Sequence, residues 1–83
     1  MPDSGLISYN YYRGPQPLGN MWTLRRGSLE LVCQFATHRL GWELRLIAGS
    51  NFMRSEVCKT EEHVHVVAEE WRTEAVGNGF RES

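Results

Sequence analysis

The side chains of this 83-residue chain with metal-binding, nucleophilic or acid–base chemistry to offer are three histidines, two cysteines and a run of glutamates. His63 and His65 stand two apart in a stretch of helical period, about 200° around the axis, so they cannot share a metal ion. With Cys33 and Cys58 they complete no zinc spacing, which takes paired ligands at C-x₂₋₄-C or H-x₃₋₅-H. His38 stands alone in a turn. A Ser-His-Asp arrangement has only Asp3 among the aspartates to supply its acid, close to the N-terminus. Glu61, Glu62, Glu69, Glu70 and Glu74 are explained by the solvated face of a helix. Gly77-Asn78-Gly79 reads as a helix stop and not as a phosphate cradle. Arg25-Arg26-Gly27-Ser28 fits a basophilic kinase consensus, a match short enough for chance, and is read as a charged hairpin turn. A chain of this size is also expected to lack the mass for a ligand cavity of ~300 Å³ or more beside its core. These readings predict a non-catalytic domain without metal or cofactor.

The elements that carry these residues follow from hydrophobic period. Residues 1–21 are rich in Gly, Pro, Asn and Ser, centred on Gly14-Pro15-Gln16-Pro17, and read as an irregular segment. Within it, Ile7-Ser8-Tyr9-Asn10-Tyr11-Tyr12 alternates, and its aromatics suit a docking tail or an edge strand. Met21-Trp22-Thr23-Leu24 leads into a turn at Arg25–Ser28, where Gly27 suits a hairpin that needs φ > 0. Leu29–Thr37 then alternates, with Leu29, Leu31, Cys33 and Phe35 on one face. After His38-Arg39-Leu40-Gly41, Trp42–Ala48 alternates again, with Trp42, Leu44, Leu46 and Ala48 on one face. Gly49-Ser50-Asn51 turns the chain into a further strand, Phe52–Lys59, whose less charged face is Met53, Ser55 and Val57. Connections this short favour antiparallel neighbours.

Thr60 is a helix N-cap, followed by Glu61 and Glu62 where the helix dipole favours negative charge. Val64, Val67, Ala68, Trp71 and Ala75 form one apolar stripe, and Glu62, Val66, Glu69 and Thr73 the opposite side. Asn78-Gly79-Phe80 is the stop, with Phe80 placed to pack back on Ala75. The predicted fold is therefore α+β: a three- or four-stranded antiparallel meander, then one C-terminal helix on one sheet face. The predicted domain spans residues 22–80, with a tail at 81–83.

Composition agrees with an ordinary globular domain, 41% hydrophobic and 23% charged. No apolar run approaches the ~20 residues of a membrane span. The start, Met1–Gly5, does not have the pattern of a secretory signal. Cys33 and Cys58 fall on strands with another strand between them, too far apart for a disulfide, so reduced thiols in a cytoplasmic protein are expected.

The net charge of −1 is unevenly spread. The strand region 22–60 holds Arg25, Arg26, Arg39, Arg45, Arg54 and Lys59 against three glutamates, whereas the helical region is acidic. One helix covers one sheet face and leaves the other, with Val32, Ala36 and Ile47 among its charges, to the N-terminal aromatics or a second copy. The expected role is thus interaction with another protein or with itself, as a homodimer. The candidate surface comprises Arg25, Arg26, Arg39, Arg45, Arg54, Ile47 and Val32. The alternative is nucleic-acid binding, with Arg45 and Arg54 as central contacts and the turn arginines reaching phosphates. Its strand order is similar to that of plant AP2-type and phage-integrase arm-binding domains, without their signature residues. Glu30, Glu43 and Glu56 on the same strands weigh against it.

The segments Gly41-Trp42-Glu43-Leu44-Arg45-Leu46, Val57-Cys58, Glu70-Trp71 and Gly79-Phe80 resemble a group of short uncharacterised bacterial proteins across roughly residues 22–80. That resemblance implies a fold and lends no activity to any residue.

Overall fold

A computed structural model describes Gly14 and residues 16–82. The Ile7–Tyr12 segment, expected as a tail or edge strand, lies outside the described residues. Four strands, β1 (Pro17–Arg26), β2 (Leu29–His38), β3 (Gly41–Ala48) and β4 (Asn51–Cys58), precede one helix, α1 (Glu61–Gly77). The strands pair in chain order, all antiparallel, so the fold is an α+β meander with its helix at the C-terminus.

The first strand begins at Pro17, inside the stretch that composition marks as irregular. Two register shifts, at Pro17/Gly19 and Asn20/Trp22, explain the difference. Each shift leaves one residue unpaired on an edge strand, where Pro, Gly and Asn are tolerated. Register then fixes the faces. Trp22, Cys33, Leu46 and Arg54 form one cross-strand row, and Leu24, Leu31, Ala48 and Asn51 the next. Both rows lie beneath the helix. Arg54, Glu56 and Cys58 therefore point to the helix side of β4, and Ser55 and Val57 point away.

The β2–β3 turn depends on Gly41. Its φ is +143°, and a Cβ there would stand 2.5 Å from the Cys58 carbonyl oxygen. No other residue fits so close to the end of β4 without moving backbone.

The helix starts where the sequence places it. The Thr60 hydroxyl accepts a hydrogen bond from His63 N–H at 3.0 Å, satisfying one orphan amide of the first turn. At the other end Phe80 N–H donates to Ala75 O and Gly79 N–H to Val76 O, with Gly79 at φ +96°. This is the Schellman arrangement, and it folds Phe80 back into the core. The last turn has no basic residue of its own. Arg26 from β1 fills that role by donating to Asn78 O at 2.8 Å.

The core forms two adjoining clusters between helix and sheet. One joins Cys33, Leu44 and Cys58 to Val64, Val67, Ala68 and Trp71; the other joins Leu24, Leu31 and Ala48 to Ala75 and Phe80. Leu24 and Leu44 are fully buried, each contributing ~1.5–3 kcal/mol of apolar burial. Trp22 ties the distant strand to the helix, donating its indole N–H to Ala68 O at 2.8 Å.

Candidate interaction surfaces

The sheet face away from the helix holds Val32, Arg45 and Ile47 together, as the sequence suggests, with Glu43 and Gln34 beside them. These side chains are half-buried, and Ala36 between them is fully buried. Arg45 pairs with Glu43 at 3.5 Å, and its Nε is buried with no hydrogen-bond partner among the described residues. Arg25 shares this side and pairs with Glu30 at 3.7 Å. Arg39 sits exposed in the β2–β3 turn.

Arg54 and Arg26 lie on the opposite side. The Arg54 guanidinium stacks 4.4 Å over the Trp71 ring and pairs with Glu74 at 3.1 Å. Arg26 stacks 4.6 Å over Phe80. The candidate strand arginines thus divide between two faces, Arg25 and Arg45 on one and Arg26 and Arg54 on the other. The sequence could not reveal this, because the register shift between Leu46 and Ile47 inserts one extra β4 residue at Met53. That bulge sets which way Arg54 points.

Between the helix end and the hairpin end of the sheet runs a groove of about 340 Å³, floored by Leu31, Leu46, Ala48 and Ala75. Its presence corrects the expectation that the chain is too small for such a cavity. The helix stops at Gly77 and the chain crosses to β1, where Arg81 and Arg25 exchange two backbone hydrogen bonds of 2.7 Å.

The buried pair Cys33 and Cys58 are free thiols on β2 and β4, separated by β3. Burial, with Cys58 nearby as a second cause, pushes Cys33 up to about 12. Burial and then Glu56 push Cys58 up as well. Neither is a ready nucleophile, since the thiolate is the reactive form. Among the described residues no three His, Cys, Asp or Glu side chains group as a metal site, and no helix is long and apolar enough to cross a membrane.

The two sheet edges differ most. The outer edge of β1 carries Pro17, Gly19 and two register shifts, and its last turn is taken by the Arg25–Arg81 bridge. These are devices that block strand addition. The outer edge of β4 contains neither Pro nor Gly, and among the described residues no strand pairs with it. Six of its eight residues are exposed, including Phe52 at 60% and Met53 at 58%. A signal for this was present in the sequence, in the contrast between Pro17-Leu18-Gly19 and Phe52–Lys59, but it has meaning only once both are known to be edges.

No family model matches the chain, and no curated protein and no solved structure matches it.

Proposed function

We propose that this chain is a non-catalytic, homodimerising interaction module that joins a second copy by strand addition at β4. The observation that carries the reading is the asymmetry of the two edges. An eight-residue edge that no strand covers among the described residues, with exposed Phe52, Met53 and Val57, is a template for another strand, and small domains gain stability by covering such a liability. Free, buried thiols suit a reducing, cytoplasmic setting. The nucleic-acid alternative has less support. Arg25, Arg45 and Arg54 each lie within 4 Å of a carboxylate, and they are split between two faces. Sedimentation velocity on the full chain over a wide concentration range tests the proposal. The mass should rise from 9.6 kDa towards twice that value. A monomer at every concentration would overturn it.

A further inference from the structure

Resting on the homodimer reading, the geometry points to one pairing register, in which two copies of β4 run antiparallel about a two-fold axis at Ser55. We infer that Arg54 of each copy then lies opposite Glu56 of the other. Side-chain period limits the registers available. Continuing both sheet faces across the junction requires helix-side residues to oppose helix-side residues, so the register can change only in steps of two. Three registers keep the middle of β4 paired. An axis at Arg54 sets two arginines face to face, and an axis at Glu56 sets two glutamates face to face; like charges directly opposed disfavour both. The axis at Ser55 alone opposes each cation to an anion, and two-fold symmetry makes this happen twice.

The groups are disposed for it. Arg54 and Glu56 both point to the helix side of β4, with side chains 45% and 43% exposed. Arg54 directs Nη1 to Glu74, and a guanidinium has five N–H donors, so others remain for a carboxylate. Glu56 approaches His63 through Oε2 at 3.5 Å, leaving Oε1 without a partner among the described residues. The stack on Trp71 holds the Arg54 guanidinium in place, which lowers the entropy lost on pairing. Arg54, Ser55 and Glu56 lie beyond the bulge at Met53, on the regular part of the strand. On the other face this register brings Val57 beside the Phe52–Met53 bulge of the second copy, covering exposed apolar surface at both ends of the junction. The product is a continuous eight-stranded sheet. An axis perpendicular to that sheet places both helices on the same face.

A charge-reversal mixing experiment tests the register. Glu56→Arg gives a strand with two cations, and Arg54→Glu a strand with two anions. Each should self-associate on the order of tenfold more weakly than the parent chain, because both cross-strand pairs turn repulsive. Mixed in equal amounts they should form a heterodimer, since both pairs become attractive again. The double variant Arg54→Glu/Glu56→Arg should regain self-association. Circular dichroism of each single variant establishes that it is folded, and Glu56→Gln, which leaves Arg54 on Trp71 intact, should show a smaller loss in the same direction. Folded single variants that dimerise like the parent chain, or a mixture that stays monomeric, would overturn the register while leaving the homodimer standing. A parent chain that never dimerises would overturn both.

Discussion

Replacing Trp71 with alanine removes the largest buried side chain of the helix–sheet core. Trp71 is 4% exposed and packs within the cluster of Cys33, Leu44, Cys58, Val64, Val67 and Ala68. Deleting a buried ring of this kind costs ~3–5 kcal/mol, from lost transfer energy and the cavity left behind. The Arg54 stack at 4.4 Å adds roughly 0.5–1 kcal/mol, at the low end because Arg54 is half-exposed. A chain of this length has a total stability of roughly 4–12 kcal/mol. The variant should therefore stand at the margin of folding, with a thermal midpoint lowered by roughly 15–30 °C. The assay is thermal unfolding followed by circular dichroism at one fixed protein concentration, since dimerisation itself raises the midpoint. Arg54→Ala in both backgrounds separates the stack from the burial: its effect should shrink when Trp71 is already absent. A Trp71→Ala midpoint within a few degrees of the parent would refute the packing described for α1.

Thr60→Ala leaves His63 N–H without its acceptor and should lower stability by ~1 kcal/mol in urea unfolding. Gly41→Ala places a Cβ against the Cys58 carbonyl at a φ that L-residues avoid, and should destabilise by roughly 2–3 kcal/mol or abolish folding in the same assay. The Cys33 thiol, ordinarily at 9.0, holds its proton to about 12 when folded, so between those values the folded state binds more protons than the unfolded one. Stability is then fully present below pH 9 and falls as pH rises through that window. Urea unfolding at stepped alkaline pH should show this decline, and Cys33→Ala should make it shallower, leaving the part that Cys58 contributes.

Much of the fold was legible because local rules agreed with one another. Thr60, the stripe from Val64 to Ala75, and Gly79-Phe80 each have one physical reading, and the helix sits where they place it. Alternation in β2 and β3 named the faces correctly, down to Cys33 and Leu44 in the core. The start of β1 was hidden because bulged edge strands tolerate the residues that elsewhere mark loops. The candidate surface was legible as a set of residues but not as an arrangement. A single extra residue at Met53 decides the direction of Arg54, and no periodicity in eight residues records a bulge. The groove was missed because its opening depends on where the chain crosses after Gly77, which is a tertiary fact.

The proposed dimer requires that β4, and not β1, takes a second strand. Amide-resolved hydrogen exchange at low and high protein concentration distinguishes the two edges. Amides of Asn51–Cys58 should gain protection as concentration rises, while those of Leu18–Leu24 stay unchanged. Protection that grows on β1, or on neither edge while the mass doubles, would contradict the account.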